Sequence, residues 1–150
     1  MGKKSPKIKP TKVPRQSDLI KPTPIKSDDK VSFNFRRLTV KIDGKDSKFD
    51  YTCCEQKYFN TLLERLKHVS NMSRHDLTCA YNNKTLRCHP IDFANDKRLS
   101  EHTFGITEEV DKDAWQFQLS QSEHGRVHGY FVENNFYVVW LDPKHQLYSK

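Results

Sequence analysis

The chain contains no run of about 18 apolar residues, the length needed to cross a bilayer as a helix, so no membrane span is expected. No apolar stretch follows the first lysines, so no secretory signal is expected and the expected compartment is the cytoplasm. Internal repeats and a Gly-rich phosphate loop are also missing, which sets aside solenoid folds and P-loop nucleotide chemistry. The four cysteines, Cys53, Cys54, Cys79 and Cys88, lack the short C-x2-C pairs of a zinc site. Adjacent Cys53 and Cys54 make a poor disulfide, so free thiols are expected, with no metal and no cofactor. A zinc-stabilised adaptor that adds His75 and His89 to these cysteines is the weaker alternative.

Acid is the scarcest group at the start of the chain. Residues 1–26 hold Lys3, Lys4, Lys7, Lys9, Lys12, Arg15, Lys21 and Lys26, and Asp18 is their only acid. Residues 27–150 hold 18 basic and 18 acidic residues, so the whole net charge of +7 sits on the first segment. That segment also carries Pro6, Pro10, Pro14, Pro22 and Pro24, five of the seven prolines. With so few apolar side chains it cannot offset its ordering entropy, and a disordered basic arm over residues 1–30 is expected. Such an arm attaches electrostatically to nucleic acid or to an acidic protein, or serves as a solubilising tail.

The remainder, 31–150, is long enough for one core. Val31, Phe33 and Phe35 alternate as a strand; Leu38, Val40 and Ile42 alternate in the opposite phase, with a bulge expected at Arg36-Arg37. Thr52-Cys53-Cys54-Glu55 fits a capping box, and Tyr58, Phe59, Leu62, Leu63, Leu66 and Val69 follow at helical spacing, predicting a helix over about 53–70. Thr85–Cys88 suggests a short strand, and the polar stretch Asp92–Glu101 a loop or short helix. Trp115, Phe117 and Leu119, then Arg126–Val132, then Phe136–Leu141 read as a meander with a two-residue turn at Asn134-Asn135. That turn would place Phe131 opposite Val138, Gly129 opposite Trp140, Tyr130 opposite Val139 and His128 opposite Leu141. The expected class is α+β: a small twisted antiparallel sheet, apolar on both faces, with one main helix packed on it.

Polar chemistry concentrates at one end of this hairpin. His124, Arg126 and His128 meet Asp142, Lys144, His145 and Tyr148. RNA cleavage needs a base for the 2′-hydroxyl proton, a cation for the phosphorane charge and an acid for the leaving oxygen, with no metal required. Arg126, His128, His145 and Tyr148 are therefore the candidate catalytic set. Lys144, with Lys3, Lys4, Lys7, Lys9, Lys12 and Arg15 of the arm, is a candidate contact for phosphate. The competing reading makes His128 a packed core histidine, and His124, Lys144 and His145 solvated turn residues.

The run HGRVHGYFVENNFYVVWLDPKHQLY resembles the end of the RelE-type toxin ribonuclease fold, in which helical structure packs on a small twisted antiparallel sheet. The likeness covers residues 115–150, with the 53–70 helix matched by order. It implies that Arg126 is the cation of the penultimate strand and that His145 and Tyr148 are terminal acid/base groups. It further implies action on RNA or ribosome-bound message, and an acidic antitoxin-like partner. HPIDF at 89–93 together with WLDPKH at 140–145 also resembles uncharacterised small bacterial proteins, a likeness that implies no activity. The rival class is a non-enzymatic binding module that grips nucleic acid or an acidic protein with its arm and docks a partner on its sheet.

Overall fold

A computed structural model describes residues 29–42, 44–46, 48–92, 113–121 and 124–147. The expectations for residues 1–28, for 93–112 and for Tyr148 lie outside the described residues. Among those described, helix α1 spans Gln56–Val69. Its Tyr58, Leu62, Leu66 and Val69 recur every three or four residues and are buried, the Leu and Val side chains each contributing roughly 1.5–3 kcal/mol. Leu63, counted in the same stripe from sequence, is 64% exposed. One residue past Leu62 turns the side chain by about 100° and carries it off the apolar face.

The helix starts later than its capping box predicts. Thr52 bonds backward instead: the Asp50 carboxylate accepts from the Thr52 amide at 2.8 Å and from its hydroxyl. Glu55 is the N-cap and its side chain makes no capping bond. A capping box does form one helix later, before α2 (Arg74–Thr78): Ser73 Oγ accepts from the Asp76 amide at 3.0 Å, and the Asp76 carboxylate accepts from the Ser73 amide. A 3-10 helix, Ala80–Asn82, follows.

Among the described residues the main sheet has five strands in the order β1-β7-β6-β5-β4. They are β1 (Ser32–Asn34), β4 (His89–Pro90), β5 (Ala114–Gln118), β6 (Arg126–Val132) and β7 (Asn135–Asp142). β1 runs parallel to β7, and the other neighbours are antiparallel. Beyond β1 the expected bulge is a turn, in which the Leu38 amide donates to the Phe35 carbonyl. A separate small hairpin, β2 (Lys41–Ile42) with β3 (Lys45–Asp46), closes on Gly44 at φ 77°. Thr85–Cys88 does not extend as a strand. The Asn83 carbonyl accepts from the Leu86 and Arg87 amides, and Asn83 Oδ1 accepts from Thr85, so the backbone coils through this segment.

The β6–β7 hairpin turns at Glu133-Asn134, with Glu133 at φ 54°, and Asn135 already pairs with Val132. Phe131 therefore faces Phe136, Tyr130 faces Tyr137 and Gly129 faces Val138. A slip of two from the expected register keeps every residue on its face. An irregularity at His128/Gly129 then inserts Val139 as an extra residue, so that His128 faces Trp140 and Arg126 faces Asp142. This moves Trp140 and Leu141 to the faces opposite those expected. A Cβ on Gly129 would collide with the Tyr137 carbonyl and the Phe136 ring, so the glycine makes room for these rather than for Trp140.

Both faces of the sheet are covered. Leu62, Leu66 and Val69 pack on the face formed by Phe117, Val127, Phe131, Phe136 and Leu141. Phe49, Ile91 and Leu147 close the other face over Tyr130, Val139 and Trp140, and the Phe49 and Trp140 rings stack at 4.7 Å. No helix among the described residues is long and apolar enough to cross a membrane.

Candidate functional site

Three segments meet at the end of the sheet where β6 begins. Arg65 of α1 donates to the Leu119 carbonyl at 2.9–3.0 Å and to the Thr85 carbonyl at 3.0 Å, tying the helix to the end of β5 and to the 83–87 turn. That turn presents Lys84 and Arg87, the latter at φ 40°. On the far side, Asp142 closes the chain after β7. Its buried carboxylate accepts from the Gln146 amide at 2.8 Å and the Leu147 amide at 2.9 Å, and its carbonyl accepts from the His145 amide. His145 sits in this turn at φ 52°. Gly125 permits the close approach, since a Cβ there would strike the Asp142 carbonyl.

Between these segments lies an open cavity of about 730 Å³. Its walls are Tyr81 and Asn82 of the 3-10 helix, Lys84 and Arg87 of the turn, His89, Pro90 and Asp92 from β4 onward, Arg126 of β6 and His145. Asp92 is the one acid among these described walls, against Lys84, Arg87, Arg126 and two histidines.

Arg126 is only 9% exposed. Among the described residues its Nε has no hydrogen-bond partner, and Nη1 donates only to the Gly125 carbonyl at 3.4 Å. Burial first, and the Arg87 charge second, pull its guanidinium below the usual arginine range, with Asp142 opposing. Asp142 faces Arg126 across the ladder, but both its oxygens already accept backbone amides. The guanidinium remains a cation at neutral pH and is under-bonded, which suits it to an oxyanion.

His145 is held below the ordinary histidine range, by burial and then by Arg126, with Asp142 opposing. It is therefore a neutral imidazole at pH 7. His89 Nδ1 lies 2.9 Å from the Pro90 carbonyl. A carbonyl can only accept, so Nδ1 carries the proton and the neutral ring keeps its lone pair on Nε2.

The structure brings two of the four sequence candidates, Arg126 and His145, into one cavity. His128 is not among the described walls; it is fully buried, with the Phe49 ring 5.8 Å and the Trp140 ring 6.4 Å away. Its Nε2 is 3.9 Å from Asp142, too far for a hydrogen bond. Burial, followed by the charges of His145 and Arg126, pushes its pKa down to about 3, so it is a neutral core histidine. Lys144 is exposed and is not among the described walls. His124 packs edge-on against Tyr58 at 5.9 Å and is not among the described walls. Sequence reasoning missed His89, Arg87 and Tyr81 as site residues. The run HPIDF held a signal, since a histidine before proline is extended and can turn Nδ1 onto the proline carbonyl.

All four cysteines are free thiols. Cys88 is buried and its thiol is pushed up to about 12, which removes it as a nucleophile. No group of three His, Cys, Asp or Glu side chains among the described residues could hold a metal ion. Compared with known proteins, the chain matches no family model, no curated protein and no solved structure.

Proposed function

We propose that this domain is a RelE-like, toxin-type module that cuts RNA, and that the cavity at the start of β6 is its active site. The supporting observation is the under-bonded Arg126 guanidinium, sharing one open cavity with Arg87, His89 and His145. In this reading one neutral imidazole, His89 through Nε2 or His145, takes the 2′-hydroxyl proton. The 2′-oxygen attacks the adjacent phosphorus, and Arg126 with Arg87 balances the phosphorane charge. The other histidine, protonated once the phosphate sits beside it, delivers its proton to the departing 5′-oxygen. The products are a 2′,3′-cyclic phosphate and a 5′-hydroxyl, and no step passes through a metal. The substrate is RNA free or on the ribosome, the compartment is the cytoplasm, and an acidic antitoxin-like protein is the proposed partner.

The test is purified protein on RNA, with and without ribosomes and with a chelator present. Cleavage with 5′-hydroxyl ends is expected. His89→Ala, His145→Ala and Arg126→Ala are each expected to lower it roughly 10²–10⁴-fold, the range of a lost acid/base or charge-stabilising group. Near-UV circular dichroism separates loss of chemistry from loss of fold, which matters most for the buried Arg126. Wild-type protein that cuts under neither condition would overturn the reading in favour of a binding module.

A further inference from the structure

The geometry points to Tyr81 as a stacking platform for an unpaired nucleobase, so that the cavity takes single-stranded RNA with at least one base splayed out beside the bound phosphate. This rests on the reading of the cavity as an RNA site. Tyr81 stands in the cavity wall and is 63% exposed, among the most exposed large apolar side chains of the described residues. Its ring is not held by the core. It meets the His89 ring edge-to-face at 5.7 Å and 77°, and that contact on one side leaves ring surface open to solvent.

The backbone beneath it is fixed. Tyr81 lies in the 3-10 helix, which is closed by the Asn83 amide donating to the Ala80 carbonyl. Lys84 and Arg87 follow within six residues on the turn that lines the same cavity. An upright aromatic ring beside a line of cations is how non-duplex nucleic acid is gripped: bases stack on the ring and phosphates meet the cations. A duplex keeps its bases stacked on one another and offers none to the ring. The adjacent Asn82 lies in the same wall, where its amide can meet a base edge.

The test uses a short 2′-deoxy oligonucleotide, which lacks the attacking hydroxyl and is not consumed by the proposed chemistry. Fluorescence anisotropy of the full chain is read at salt high enough to suppress diffuse phosphate contacts. Three probes are compared: the single strand, the same strand annealed to its complement, and a strand with abasic positions. The single strand is expected to bind tightest. Tyr81→Ala is expected to weaken it about 5- to 150-fold, the range of one lost base–aromatic stack. Tyr81→Phe, which keeps the ring, should stay near wild type, and the abasic strand should not distinguish Tyr81→Ala from wild type. Equal weakening on the abasic strand, no effect of Tyr81→Ala, or no binding of any probe overturns the proposal. The readout does not require cleavage: a stacking signature without RNA cleavage would sink the ribonuclease reading alone, and cleavage indifferent to Tyr81 would sink the platform alone.

Discussion

A fully buried histidine makes folding sensitive to mild acid. His128 has its pKa pushed down to about 3 in the folded protein, against about 6.5 in an unfolded chain. The native state thus binds fewer protons between these values. The stability that His128 contributes is complete above about 6.5 and is lost as pH falls toward about 3, at up to about 1.4 kcal/mol per pH unit. Asp50 and Asp76 also have lowered pKa values, but their contribution is lost only as pH falls through and below the ordinary carboxylate range, later than that of His128. Denaturant midpoints at pH 7 and pH 4.5 are therefore expected to differ strongly in wild type. His128→Phe should flatten that difference, leaving the contribution of His145. Equal slopes in the two proteins would mean that His128 is protonated in the native state. Sequence reasoning saw both the packed and the reactive reading of His128. What decides between them is Phe49, whose ring covers His128 from some eighty residues upstream. His89 was hidden for a related reason: its contact to the Pro90 carbonyl is local, but the walls around it, Tyr81, Arg126 and His145, come from separate segments.

Among the elements, those whose signals are local were legible. The α1 stripe, Leu63 apart, and the alternation of β5 to β7 follow from spacing alone, whereas the turn before β7 was placed one residue late. Two errors of register had different causes. A two-residue slip leaves side-chain faces unchanged, so hydrophobic pattern cannot detect it. The extra residue at Val139 reverses Trp140 and Leu141, and nothing in their neighbours' polarity marks it, because both faces are apolar. Gly129→Ala tests that register. A Cβ there meets the Tyr137 carbonyl and the Phe136 ring, so a loss of about 1–3 kcal/mol is expected from urea unfolding. A neutral effect would return space to Gly129 and contradict the pairing. The caps give a second comparison. Ser73→Ala removes one half of a reciprocal box and should cost about 1 kcal/mol, whereas Thr52→Ala removes a bond to Asp50 outside the helix and should cost less. If Thr52→Ala proves the more damaging, helix α1 begins earlier than Gln56.

For the whole molecule, charge is divided by position. Residues 1–26 carry the entire net charge of +7, while 27–150 balance to zero. The cations around Arg126 are thus a local cluster on a neutral domain, worth little as a long-range attractor but effective at contact. The basic segment carries eight cations, and in the proposed ribonuclease it has the opposite character: no fixed sequence preference and strong dependence on salt. In the proposed ribonuclease these are separable duties, with residues 1–26 gathering RNA and the cavity transforming it. Removing residues 1–26 should then raise KM and leave kcat near wild type, because the deleted contacts hold substrate and transition state equally. The plot of log affinity against log salt should lose most of its slope, about 0.7 per phosphate contact on a single strand. Melting temperature should be nearly unchanged, since a segment with five prolines, eight cations and few apolar side chains has little surface to bury. A fall in kcat as large as the rise in KM would place the segment in the active site itself. An unchanged salt slope would mean that the cluster of Lys84, Arg87 and Arg126 carries the phosphate contacts alone.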